Sequence, residues 1–162
     1  MKIAVLSDSH DNVWKIREAM PYLRDSKAVI HCGDMCAPFV IKELAGPLED
    51  IPIHIVWGNN DGDTYRISKV AAGFPHVNLH AELAEISIAD LWIAVNHYPK
   101  IARALALTGE YDMVFYGHDH TAHDSMIGEC LLLNPGELMG LNGVSSLVIV
   151  DTETKQFERI FL

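Results

Sequence analysis

The sequence predicts an α/β fold in which two sheets pack together with helices outside, and three observations carry that expectation. The first third alternates short Ile- and Val-rich runs with stretches of helical spacing. The remainder is strand-rich, giving roughly nine or ten strands against four helices, more than a simple doubly wound sheet accommodates. Every cluster of acidic and imidazole side chains stands directly after an apolar run.

The elements follow in order. KIAVLS (2–7), AVIH (28–31) and IPIHIVW (51–57) are short and apolar without clean alternation, and they stop at SDSH, CGD and GNND. Such runs suit strands covered on both faces. Between them, residues 12–24 set Val13, Ile16, Met20 and Leu23 near one helical face, with Pro21 disturbing the final turn. A second helix, 38–46, opens with an early proline and ends at Gly46-Pro47. LAEISIAD (83–90) runs directly into LWIAVN (91–96), which reads as paired strands with a tight connection, and an Ala- and Leu-rich helix follows over 99–108. DMVFYG (112–117) is a strand ending at GHDH. Strands near 124–127 and at 130–133, before NPGE, precede a terminal hairpin over 145–162. No repeat, low-complexity tract or linker interrupts the chain, so residues 1–162 are expected to form a single domain.

Composition narrows the function. With 49% hydrophobic residues in 162, the chain builds a core rather than a disordered tail. A formal charge of −10 argues against duplex nucleic acid or an anionic membrane as partner, and a phosphorylated substrate would be repelled unless bound cations reverse the sign locally. Cys32, Cys36 and Cys130 are odd in number, and the C-x3-C spacing of the first two is neither a redox nor a zinc-knuckle motif; they read as small buried hydrophobes. MKIAVLSDSH turns polar at position 7, too early for a signal peptide or membrane span, so the expected location is the cytoplasm.

The chemistry gathers in SDSH (7–10), CGD (32–34), GNND (58–61), NHYP (96–99) and GHDH (117–120). Loops after neighbouring parallel strands converge on one crevice. An Asp or Asn after a strand is ordinarily a turn or a helix cap. The pairs Asp8/His10 and His118/His120 are not explained that way, because residues two apart in an extended segment point the same way and both can reach one site. Asp8, His10, Asp34, Asn59, His97, His118 and His120 oversupply one metal and suit two that share a carboxylate. Carboxylate, imidazole and amide donors favour Mn²⁺, Fe²⁺, Zn²⁺, Co²⁺ or Ni²⁺, with Cys32 and Cys130 as alternative thiolates. His31 and His54 lie inside apolar strands and read as satisfied core imidazoles, and packing is the ordinary reading for Trp14, Tyr65, Tyr98 and Tyr116.

The five blocks in this order resemble the calcineurin-like metallophosphoesterase superfamily, whose pattern runs D-x-H, G-D, G-N-x-D or G-N-H, a lone histidine after a strand, then G-H-x-H. Asp8-Ser9-His10, Gly33-Asp34, Gly58-Asn59-Asn60-Asp61, His97 and Gly117-His118-Asp119-His120 supply it, with NPG at 134–136, over about positions 3 to 150. The GNND form is most similar to small bacterial and archaeal phosphodiesterases of the group that includes the retromer subunit Vps29. The resemblance implies a four-layer α-β-β-α sandwich with a di-metal site at the carboxyl ends of the strands. It assigns Asp8, His10, Asp34 and His120 to one metal, and Asp34, Asn59, His97 and His118 to the other, with two divalent transition ions, Mn²⁺ first among them. Two departures stand out: Asn60 replaces the histidine that many members place to protonate the leaving group, and Asn96 replaces the glycine that often precedes the lone histidine.

The activity so implied is metal-dependent hydrolysis of a small phosphodiester by a hydroxide bridging two metals. Two divalent ions, Asp8, Asp34 and that hydroxide net to about +1, which presents an anion with a locally positive pocket. Leaving-group protonation falls to Asp61, Asn60 or metal-bound water, with Asp61 alternatively accepting a hydrogen bond from a ligand histidine. Asn12 either donates to a phosphate oxygen or caps the helix that starts there. Good leaving groups are therefore favoured. A phosphomonoesterase or phosphoprotein phosphatase is the alternative chemistry, and a non-catalytic protein-binding scaffold the alternative role; a nuclease is disfavoured by charge, and a homo-oligomer is compatible with the sequence.

Overall fold

The structure, a computed structural model, describes residues 1–162. Eleven strands run in the order β1 (Lys2–Leu6), β2 (Val29–His31), β3 (Ile53–Ile55), β4 (Val77–Leu79), β5 (Leu83–Ile88), β6 (Leu91–Asn96), β7 (Met113–Phe115), β8 (His123–Ile127), β9 (Cys130–Asn134), β10 (Ser146–Asp151) and β11 (Phe157–Phe161). Four helices, α1 (Val13–Arg24), α2 (Pro38–Ala45), α3 (Thr64–Ala71) and α4 (Pro99–Thr108), lie among them. One sheet has the order β11-β10-β1-β2-β3-β4 and the other β5-β6-β7-β9-β8. β1 to β4 are mutually parallel, as are β6, β7 and β9.

Alternation along each strand divides the apolar side chains between layers. Ile3, Val5, Ile30 and Val148 meet Ile93, Val95, Met113 and Phe115 between the sheets. On the outer face of the six-stranded sheet, Ala4, Leu6, Val29 and Ile53 pack beneath Ile16, Leu23, Ile41 and Ile67 of α1, α2 and α3. Ala102 and Ala106 of α4 cover Ala94, Val114 and Leu132 on the other sheet. The result is the four-layer α-β-β-α sandwich. Burying each large aliphatic side chain in these layers contributes about 1.5–3 kcal/mol.

Helix starts agree with local chemistry. Asn12 accepts from the Lys15 N–H at 3.3 Å and Asp63 from the Arg66 N–H at 3.1 Å, while α2 and α4 begin on prolines whose missing N–H would have no helical partner. Two elements differ from the expectation. α1 continues unbroken through Pro21 to Arg24, since a proline this near the end removes only one late hydrogen bond. β4 has no signal in the sequence; it is three half-exposed residues added at the edge by pairing with β3. No helix is long and apolar enough to cross a membrane.

Candidate metal centre

The five loops converge at the carboxyl ends of β1, β2, β3, β6 and β7, and backbone hydrogen bonds lace them beyond the strands. Asp8 N–H donates to Gly33 O, His10 N–H to Asp34 O, Gly117 N–H to His97 O and Met139 N–H to Asp8 O, all at 3.0–3.1 Å. The glycines of the motifs permit this closeness. A Cβ on Gly58 would strike the Asp34 carboxylate, and one on Gly117 would strike Ser7 and Asp8.

The paired residues reach the site by a different route from the one expected. The segments are not extended: Asp8, His10, Asp34, His118 and His120 have φ of 51°, 37°, 58°, 77° and 55°. Non-glycine residues in this region each cost about 1–3 kcal/mol and persist where the surroundings over-determine them. Each turn re-aims its side chain, so the two histidines of GHDH separate. His120 Nε2 lies 3.4 Å from Asp8 Oδ1, whereas His118 Nδ1 lies 2.8 Å from Asn59 Oδ1.

Two groupings result whose potential ligand atoms lie within 4.8 Å of one another: Asp8, His10 and His120, and Asp8, Asp34 and His97. Asp8 belongs to both groupings, and Asp34 Oδ2 of the second lies 3.5 Å from His10 Nε2 of the first and 3.4 Å from His97 Nε2. Asn59 Oδ1 is 3.2 Å from His97 Nε2 and so ties His97 to His118. All seven residues expected to bind metal are therefore brought together.

The electrostatics call for positive charge. The buried Asp and Glu residues of the chain are Asp8, Asp34, Asp61 and Glu137, all at this end, and histidines are their only ion-pairing partners. Buried carboxylates without a cation are costly. His97 Nδ1 lies 2.7 Å from the carbonyl of Cys32, a pure acceptor, so that nitrogen carries a proton, and when the ring is neutral it is a bare Nε2 that faces the Asp34 and Asn59 oxygens. His10 Nε2 is buried with no hydrogen-bond partner at all. Acceptors facing acceptors around an orphaned nitrogen fit a divalent cation, and the donor set suits a first-row transition ion. Burial works to raise the pKa of Asp8, but the neighbouring His10 and a hydrogen bond from Ser7 outweigh it and hold the carboxyl below its usual range. Burial likewise opposes ionisation of Asp34, whose carboxyl is nonetheless held well below that range by His97 and Asn60. The Asp8 carboxylate beside it draws His10 upward, and Asp34 draws His97 upward against its burial.

The residues around the centre are more structural than the sequence suggested. Asp61 makes no hydrogen bond to a ligand histidine; its oxygens accept the N–H groups of Asp34 at 3.0 Å, Met35 at 2.9 Å, Cys36 at 2.8 Å and Gly58 at 2.7 Å. Asn60 donates its backbone and side-chain N–H groups to the two oxygens of Asp34, each at 2.7 Å. Asn12 combines its capping role with donation from Nδ2 to Met139 O at 2.8 Å. Asn96 explains its departure from glycine: Nδ2 donates to Glu82 O at 2.7 Å and Oδ1 accepts the Tyr98 N–H at 2.9 Å, pinning the loop on both sides of His97.

His31 is the satisfied core imidazole expected, its Nδ1 accepting from Gly33 N–H and its Nε2 3.0 Å from Ser9 Oγ; burial pushes its pKa down to about 4. The Cys32 and Cys130 thiols are buried in apolar layers away from the centre, and burial raises both pKa values, so neither joins the ligand groupings. Cys36 is half-buried, with Sγ 3.5 Å from His10 Nδ1. Trp14 and Tyr65 are not packed: they are 69% and 71% exposed, each in the first turn of a helix that starts on this face. Tyr98 stands edge-on to His97 and His118, and Tyr116 is buried. Glu137 escaped the sequence reading, although it directly follows the NPG turn. Its Oε2 lies 2.7 Å from His120 Nδ1.

Comparison with known proteins gives four concordant findings. Residues 1–155 match the calcineurin-like phosphoesterase superfamily domain. A phosphodiesterase of Methanocaldococcus jannaschii is 34% identical over 169 aligned residues, covering 100% of this chain and 99% of that protein. A solved archaeal phosphodiesterase superposes with a TM-score of 0.92 at 33% identity, covering 100% of both chains. Zinc-complexed Vps29 of Entamoeba histolytica shares the fold, with a TM-score of 0.63 at 16% identity and 99% of both chains covered.

Proposed function

The chain belongs to the calcineurin-like phosphoesterase superfamily and is a phosphoesterase, and from that premise we propose that it is a two-metal phosphodiesterase acting on small diesters with good leaving groups. One observation carries the metal reading: four buried carboxylates lie at this end with no Lys or Arg paired to any of them, and His10 Nε2 faces Asp8 and Asp34 without a hydrogen bond. Asp8, His10, Asp34 and His120 would hold one divalent ion, and Asp34, Asn59, His97 and His118 the second. Bound there, the ions supply Lewis-acid polarisation of a phosphoryl oxygen and a water acidic enough to attack at neutral pH.

The chain's own residues determine the rest. Asn60 and Asp61 fix the Asp34 loop from both sides, so the orientation of the shared carboxylate is set before substrate arrives. An amide at position 60 has no proton to give an alkoxide, and all the hydrogen bonds of Asp61 go to backbone. A leaving group of low basicity needs neither. Trp14 and Tyr65, exposed on the same face, offer flat apolar surfaces to an aryl or base group. The likeness to phosphodiesterases at 33–34% identity over whole chains supports diesters over monoesters.

The test strips metal, restores Mn²⁺, and compares a bis-aryl diester with an aryl monoester. Diester hydrolysis well above an Asp34→Asn control is expected, with Asn60→His improving only substrates with alkyl leaving groups. Hydrolysis of neither ester above that control would leave the protein-binding scaffold as the better reading.

A further inference from the structure

We propose that Glu137 is a positioning residue: its carboxylate dictates which nitrogen of His120 carries the proton, and so delivers a bare Nε2 to the ion held with Asp8 and His10. The inference rests on the ligand assignment above. Glu137 lies on the turn after β9, is 1% exposed, and forms no ion pair with Lys or Arg. Its two oxygens have separate tasks. Oε1 accepts the N–H groups of Asn142 at 2.6 Å and Gly143 at 2.7 Å. Oε2 is left for His120 Nδ1 at 2.7 Å.

An ionised carboxylate only accepts, so His120 Nδ1 must donate, and the lone pair of the neutral ring falls on Nε2, which faces Asp8 Oδ1 at 3.4 Å. Asn142 Nδ2, 3.2 Å from the same Nδ1, would favour the opposite tautomer if it donated there. The shorter, charge-assisted contact to Glu137 prevails. The neighbouring imidazoles have weaker partners. His97 Nδ1 meets the neutral Cys32 carbonyl, and His10 Nδ1 the Cys36 thiol at 3.5 Å. His120 alone is backed by a charge, which makes its Nε2 the most electron-rich imidazole donor of the set.

Glu137→Gln turns this into a sharp test. Two backbone N–H groups already claim one oxygen, so the glutamine oxygen must stay with Asn142 and Gly143. Its NH₂ then faces His120 and donates to Nδ1, forcing the proton onto Nε2. Nitrogen-resolved NMR of the metal-free protein, with imidazoles neutral, should show His120 protonated at Nδ1 in wild type and at Nε2 in Glu137→Gln. Calorimetric titration with Mn²⁺ should show two ions in wild type and one of them weakened about 10–100-fold in the variant. The other ion and the metal-free melting temperature should be nearly unchanged. A wild-type His120 protonated at Nε2, which needs no variant to observe, overturns the proposal, as does equal weakening of both ions. Wild type binding no ion would instead sink the metal assignment, while the NMR result still decides what Glu137 does to His120.

Discussion

His10 and His120 have ring centroids 5.1 Å apart, and so do His54 and His80. The first pair is tilted at 47° and its rings do not bond each other; they aim Nε2 atoms at Asp8 and Asp34. The second pair is nearly stacked at 24°, and His54 Nδ1 lies 2.9 Å from His80 Nε2, so each ring satisfies the other. The Asp8 carboxylate pulls the pKa of His10 up, whereas burial pushes His80 down and takes His54 down to about 4. Imidazoles at one spacing thus serve opposite ends. What makes the first pair a candidate centre is the company of carboxylates and an unmet nitrogen, not the proximity of two rings.

The largest expected contrast is in catalysis and metal uptake. Asp34→Asn should lower diester hydrolysis by about 100-fold or more, on the scale of lost outer ligand partners and beyond. His54→Gln should leave kcat within about twofold, because nothing joins His54 to the centre. Steady-state rates and elemental analysis under limiting metal check this, and a comparable loss in His54→Gln would dissolve the distinction.

Metal removal should come next in size. Each ion that binds only the folded chain stabilises it by about 2.7 kcal/mol at a free concentration of 100 Kd, or roughly 5–10 °C in melting temperature. Calorimetric melts with and without chelator should show that increment in wild type and equally in His54→Gln, but reduced in His10→Ala.

The smallest effect separates the pairs by pH. His54 has a folded pKa of about 4 against an ordinary 6.5, so between those values the unfolded chain binds more protons than the native one. Stability from this group is intact above pH 6.5 and is lost as pH falls toward 4. In metal-free protein, His54→Gln should flatten that decline by on the order of 1–2 kcal/mol, allowing for partial exposure. Denaturant melts across the range measure the slope, and identical slopes would show that His54 does not titrate as its burial implies.

The sequence was most legible where chemistry and periodicity coincide. Asp8, His10, Asp34, Asn59, His97, His118 and His120 stand in motifs at strand ends, and the two-sheet sandwich follows from the surplus of strands. It was least legible where a side chain works through the backbone. The four amide contacts of Asp61 depend on how the loops at Asp34 and Gly58 fold together, which no spacing encodes. The left-handed turns at Asp8 and His118 likewise arise from tertiary constraint, since neither position carries a glycine. Glu137 was hidden for a related reason: its partner is 17 residues away, across β9. Trp14 and Tyr65 were misread as packing because composition does not reveal which face of a helix start is open.

β1 lies in the interior of its sheet between β2 and β10, with Lys2 paired to Asp151. The strand beside it on one side is thus drawn from residues 146–151, far along the chain, and the loop holding Asp8 is closed by Leu138 and Met139. A ribosome that has made β1 therefore holds an unfinished sheet until β10 emerges, with an open edge able to pair with other nascent chains. Nascent chains stalled before residue 146 are expected to be cut rapidly by protease and those extended past residue 161 to resist, once the exit tunnel is cleared. Resistance in the shorter chains would mean that the sheet closes without its last strands.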